Sequence, residues 1–138
     1  MVKVARGKLP IAVLSVIICL MAFAPATFAC DAQAEAVVSA YFADLAGGDV
    51  AAIEGLVGGN MAKRASAHFR NPDRYGAFLR EQYKQVVMTI VSTAQVEDAC
   101  HVSAEFAYPS GDIERITLVL STVGGVWKIT DEVIYNPE

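Results

Sequence analysis

Glu35-Ala-Val-Val-Ser-Ala-Tyr-Phe-Ala-Asp-Leu45, followed by Gly47-Gly48-Asp49, is the stretch around which this 138-residue chain is organised. Val37, Val38, Tyr41, Phe42 and Leu45 recur at i, i+1, i+4, i+5 and i+8, so the large apolar side chains share one side of a 3.6-residue period. A helix with one apolar side needs a cover. The widest cover available is the C-terminal half, where four runs carry β-type sequence. The expected class is α+β: N-terminal helices packed in the concave face of a curved four-stranded antiparallel sheet.

C-terminal to the organising helix, Gly47 or Gly48 can adopt the left-handed conformation that ends it, and Asp49 can cap a second helix through Val50, Ile53, Leu56 and Val57. Gly58-Gly59-Asn60 interrupts again, and Met61, Ala65 and Phe69 continue at helical spacing. Asn71-Pro72-Asp73 is a helix start, with Asn71 as cap and Pro72 at the first helical position. Tyr75, Phe78, Leu79, Gln82 and Tyr83 follow on one stripe.

From Val86 the hydrophobic period changes from 3.6 to 2. Val86, Met88, Ile90, Ala94 and Val96 alternate with Thr89, Thr93, Gln95 and Glu97, while Val87 and Val91 make the outer face less polar than an exposed strand requires. Glu97-Asp98-Ala99 turns the chain. The next run places Val102, Ala104, Phe106 and Tyr108 on one face and His101, Ser103 and Glu105 on the other. Pro109-Ser110-Gly111-Asp112 is a turn. Ile116, Leu118 and Leu120 form the inner side of a third strand, and Gly124-Gly125 closes a hairpin into Trp127, Ile129 and Val133. Short connections between four strands make an antiparallel meander.

Toward the N-terminus, Lys3, Arg6 and Lys8 precede an apolar run from Leu9 to Ala24, with small residues at Ala26 and Ala29. Residues 1–29 therefore read as a signal peptide cleaved after Ala29, and residues 30–138 as one exported domain, periplasmic or secreted. An uncleaved anchor is the alternative, and it exports the domain equally. Lipidation of Cys30 is a poor fit, because Thr27 and Phe28 stand where a lipobox carries Leu and a small residue. Removing the segment leaves 109 residues with 8 basic and 15 acidic side chains, a net charge of −7. That balance argues against nucleic acid or an anionic membrane surface as partner. Cys19 leaves with the signal, and in an oxidising compartment Cys30 and Cys100 are expected to pair as a disulfide. Two cysteines and two distant histidines do not make a metal site, and no cofactor is expected.

Tyr41-Phe42-Ala43-Asp44-Leu45-Ala46-Gly47-Gly48-Asp49-Val50, then Ile53 and Leu56, resembles the opening of the nuclear transport factor 2-like (NTF2-like) superfamily. Gly125-Val126-Trp127-Lys128-Ile129-Thr130-Asp131-Glu132 resembles the last-strand signature of its exported bacterial members. The resemblance spans the mature chain and implies a cystatin-like cone with an aromatic-lined pocket between long helix and sheet. It also implies dimers through the convex face, which would cover Val87, Val91 and Val119.

Fold does not fix function, since the same cone carries isomerases, dehydratases, binders and assembly domains. In the isomerase branch a first-helix tyrosine donates a hydrogen bond to a developing enolate, and Tyr41 holds the corresponding place. The carboxylate base expected after the second helix is missing from Met61 to Phe69, leaving His68 as a substitute. The second acid of the isomerase pair has no visible counterpart. His101, Ser103 and Glu105 match a triad only in composition, being roughly 7 Å apart along one outer strand face. Asp131 shares parity with the inward Trp127 and Ile129, which places a carboxylate at the cone mouth.

The resulting expectation is a non-enzymatic binding or accessory protein of the cell envelope, taking a small apolar or aromatic molecule. Tyr41, Phe69, Phe78, Tyr83, Phe106 and Trp127 are the wall candidates, with Tyr41, His68 and Asp131 for polar contacts. The alternatives are an isomerase or dehydratase using Tyr41 and His68, and a dimerising interaction module.

Overall fold

A computed structural model describes residues 30–135 of the protein. The signal-type segment lies outside the described residues. Four helices, α1 (Cys30–Gly47), α2 (Val50–Leu56), α3 (Gly59–Phe69) and α4 (Pro72–Gln82), precede four strands, β1 (Val87–Val96), β2 (Ala99–Ala107), β3 (Ile113–Val123) and β4 (Val126–Ile134). The strands form one antiparallel sheet in the order β1-β2-β3-β4. The architecture is the expected α+β class.

The organising helix starts earlier than its large apolar residues indicate. Its buried stripe is Cys30, Ala34, Val38, Tyr41 and Leu45, spaced by three or four residues, with Val37 and Phe42 half-buried beside it. Small residues at the N-terminal end let α1 approach the sheet closely, and there Cys30 is bonded to Cys100 of β2, as expected. The cysteines are 70 residues apart in sequence.

The corner after α1 follows its residue chemistry. Gly48 adopts φ +64°, and Asp49 Oδ1 accepts a hydrogen bond from the Ala52 amide at 3.2 Å, capping α2. Asn71 does the same for α4, accepting from the Arg74 amide at 3.3 Å. Gly48 also makes a contact that local chemistry does not announce. A β-carbon on it would lie 2.4 Å from the carbonyl oxygen of Gly76, and one on Gly76 would lie 2.6 Å from that of Gly48. The α1–α2 corner and α4 thus meet backbone to backbone.

Val57 leaves the second helix instead of extending it, and bridges Ile129 at the open edge of β4. The adjoining Gly58 amide donates to the Ile129 carbonyl at 2.9 Å. This short parallel pairing covers part of an edge that would otherwise invite another chain.

Two β-bulges correct the strict alternation read from sequence. Ile90 pairs with Ala104 but Ser92 with Ser103, so Val91 is the extra residue and every later side chain of β1 changes face. Thr93, expected outside, reaches the helix side and donates to Glu35 Oε1 of α1 at 3.1 Å, while Val96, expected inside, is exposed. On β4, Leu120 pairs with Ile129 but Val119 with Asp131, which makes Thr130 the extra residue. Its hydroxyl lies 3.2 Å from Ser121 Oγ and donates to the Val119 carbonyl. Val133, expected inside, therefore joins the outer face opposite Thr117.

The core lies between the helices and the concave sheet, where Val102, Leu118, Leu120 and Ile129 are fully covered. On the convex face the triad-like composition dissolves into cross-strand pairs. Ser103 Oγ lies 3.0 Å from Thr117 Oγ1, and Glu105 pairs with Arg115 at 2.6 Å. Val87, Val91, Ile113 and Val133 are exposed on the sheet.

Candidate functional site

A recess of about 480 Å³ opens where the C-terminal half of α1, α3 and α4 stand off from the β3–β4 end of the sheet. That volume suits a small molecule. Tyr41 and Leu45 come from α1, Arg64 and His68 from α3, and Tyr75, Phe78, Leu79 and Gln82 from α4. Tyr83, Tyr108, Glu114 and Glu132 line it too, together with the apolar Ile53, Val57, Met61 and Ala65.

The structure brings together four of the eight candidates. Tyr41 and Tyr83 form the inner wall, His68 stacks on Tyr75 with ring centres 4.7 Å apart, and exposed Phe78 stands at the rim. Phe106 is a layer deeper. It is buried under Phe42 and Tyr83, at 5.4 and 6.1 Å between ring centres, and supports the wall without lining it. Phe69 turns to the other side of α3, beside Glu54, Ala62, Ser66 and Arg70, and touches Tyr75 edge-on at 6.4 Å.

Trp127 is placed elsewhere. It faces the concave side at the other end of β4, beside the disulfide, where its indole N–H donates to Gln33 Oε1 of α1 at 2.9 Å. Its strand partner Thr122 is eight residues along β3 from Glu114, roughly 26 Å at strand rise. The tryptophan packs the closed end of the cone.

Asp131 is likewise excluded, and the cause is the Thr130 bulge. The extra residue turns Asp131 outward, where it binds Arg64 Nη2 at 2.8 Å and Asn60 Nδ2 at 3.3 Å. The Glu132 amide donates to the same carboxylate at 2.9 Å. These bonds, the backbone one first, hold Asp131 below the ordinary aspartate range. The carboxylate that enters the recess is its neighbour Glu132, paired across the strands with fully buried Leu118. Glu132 is thus a carboxylate of the recess that sequence reading did not single out. Its signal was the adjacent polar pair Asp131-Glu132 followed by the apolar pair Val133-Ile134, doublets that strict alternation does not produce.

Burial raises the Glu132 carboxyl, with Glu114 and Asp131 adding to the effect and Arg64 opposing it. Burial also raises the hydroxyls of Tyr41 and Tyr83, and to a lesser degree Tyr75, and the charge of Glu132 acts on all three in the same direction. At neutral pH these phenols are protonated, so they serve as hydrogen-bond donors and not as bases. Tyr108 donates to Glu114 Oε2 at 3.2 Å. Among the described residues none hydrogen-bonds the hydroxyls of Tyr41, Tyr75 and Tyr83 or the carboxylate of Glu132. The recess thus holds donors and an acceptor whose valences are open to an incoming molecule.

A linkage follows for stability. The folded chain holds the Glu132 proton more tightly than the unfolded chain, whose glutamate titrates near the ordinary 4.5. Stability therefore falls as pH rises through the window above that value. Glu132→Gln removes this slope. The variant is expected to melt higher than the parent at pH 7 and to converge with it near pH 4, in melting curves taken across that range. A difference independent of pH would refute the assignment. Asp131 contributes in the opposite sense, since its stabilisation disappears as pH drops below the ordinary 3.8.

Among the described residues no three of His, Cys, Asp and Glu gather so as to hold a metal ion. No described helix is long and apolar enough to cross a membrane.

No sequence-family model and no curated protein sequence matches this chain. Two solved structures resemble it in shape. One is a Campylobacter jejuni protein provisionally named an NTF2-like transpeptidase, with TM-score 0.54 and 12% identity over 70% of this chain and 96% of that one. The other is an NTF2-like protein of unknown function from Silicibacter pomeroyi, with TM-score 0.52 and 17% identity over 75% and 94%. At these identities the likeness carries architecture and no chemistry. In fold, this chain is an NTF2-like cone.

Proposed function

We propose that this chain is an exported binding protein of the cell envelope, periplasmic or secreted, whose cone holds a small molecule with an aromatic or apolar body and a polar head. One observation carries the reading. The hydroxyls of Tyr41, Tyr75 and Tyr83 and the Glu132 carboxylate line a single recess without partners among the described residues. These groups are partly withdrawn from water yet still reachable from the recess, so the polar head of a ligand can bond them without breaking a bond inside the fold. The Cys30–Cys100 disulfide is consistent with an oxidising compartment. Both cysteines of the described domain are consumed by it, which leaves no thiol nucleophile there.

The test is mass spectrometry of small molecules released from protein purified from its native compartment, with the released species added back. Re-addition should raise the melting temperature and perturb the ring signals of Tyr41 and Tyr83 in NMR spectra. Trp127 emission should barely change, because that residue lies at the closed end. Protein that releases nothing and gains no thermal stability from aromatic or lipid-like libraries would end the proposal.

A further inference from the structure

The recess carries an asymmetry of charge. Glu114 and Glu132 both line it, and of the basic groups at its wall the Arg64 guanidinium is engaged by Asp131 on the outer side of β4. Glu114 has a neutral donor in Tyr108, whereas Glu132 has none. Around them stand the rings of Tyr41, Tyr75, Tyr83 and Tyr108. Such rings present a negative quadrupole face that attracts a cation, most strongly where water is displaced. A carboxylate drawn partly out of water is unfavourable until an opposite charge or a set of donors meets it.

We infer that the recess selects an organic cation, a primary amine or quaternary ammonium on an aromatic or compact apolar body, with its charge against Glu132 and its body among the tyrosine rings. The inference rests on the binding proposal above and narrows it to a ligand class. The groups facing the bound charge are Glu132 and Glu114 from the sheet, Tyr41 from α1, and Arg64, His68 and Tyr75 from α3 and α4. An anionic ligand would meet the two carboxylates at close range, and a like-charge contact in a partly desolvated site opposes binding.

Three probes of one ring and three charges separate the outcomes: tyramine as cation, 4-ethylphenol as neutral analogue and 4-hydroxyphenylacetate as anion. Calorimetric titration of the disulfide-intact protein at pH 7 is expected to rank them in that order. Tyramine should bind at least about tenfold tighter than 4-ethylphenol. Glu132→Gln should narrow that ratio to less than about threefold, with its melting curve checked to show that the variant is folded. Equal or tighter binding of the neutral probe overturns the cation assignment while leaving a binding recess in place. A tyramine preference that survives Glu132→Gln overturns the role given to Glu132. Failure of all three probes to bind at millimolar concentration overturns the ligand class, and the recess falls with it only where native protein also releases no small molecule.

Discussion

Replacing both Cys30 and Cys100 by Ala is expected to lower stability by about 4 kcal/mol, the loop-closure entropy that a cross-link spanning 70 residues withholds from the unfolded chain. For a domain of this size that corresponds to a fall in melting temperature of about 20 °C. The loss should be uneven across the molecule. The bridge fastens the first turn of α1 to β2 at the end of the cone where Gln33 meets Trp127. Release of that end should shift Trp127 emission to the red at temperatures where the tyrosine-lined recess still binds its probes. Calorimetry beside fluorescence reads both effects. A shift below about 5 °C would mean that the bridge is not what holds the helical front to the sheet.

Gly48→Ala is expected to have a comparable effect through a different mechanism. At φ +64° an L-residue is strained by about 1 kcal/mol, and the added carbon would stand 2.4 Å from the Gly76 carbonyl oxygen, a backbone atom that cannot rotate away. Overpacking of that kind adds about 2 kcal/mol, for a total near 3 kcal/mol. Gly76→Ala separates the two causes. It meets the reciprocal carbonyl at 2.6 Å but sits inside α4, where Ala gains about 1 kcal/mol of helix propensity and no left-handed strain arises. It should therefore lose less. Both substitutions push α4 away from the corner, and α4 carries Tyr75, Phe78 and Gln82 at the recess, so probe affinity should fall with stability. Gly48→Ala within about 1 kcal/mol of the parent would show that the corner yields easily.

Much of the architecture was legible because it rests on short-range rules. Asp49 and Asn71 cap helices through bonds to residues three positions ahead. The shift of period at Val86 separates helices from strands, and the cysteine pair could be assigned because compartment and count left one natural partner. The wall was half legible. Tyr41, His68, Phe78 and Tyr83 line the recess, whereas Phe69, Phe106, Trp127 and Asp131 do not. Tyr75, Tyr108, Glu114 and Glu132 also line it, although none of them was singled out as a site residue from sequence.

The sequence by itself determined the element order, the meander, the capped corners and the disulfide, since each depends on periodicity or on residues near one another along the chain. Tertiary structure decided where the extra residues of β1 and β4 fall, and with them which of two adjacent carboxylates enters the cone. A period of two specifies two faces but not the point at which they exchange. That point is set where Gly58 pairs with Ile129 and Gly59 lies against Thr130, contacts between segments about 70 residues apart. The same long-range closure brings Gly48 against Gly76 and leaves Trp127 far from the recess. One inserted residue, Thr130, makes Glu132 the acid within and Asp131 the acid without.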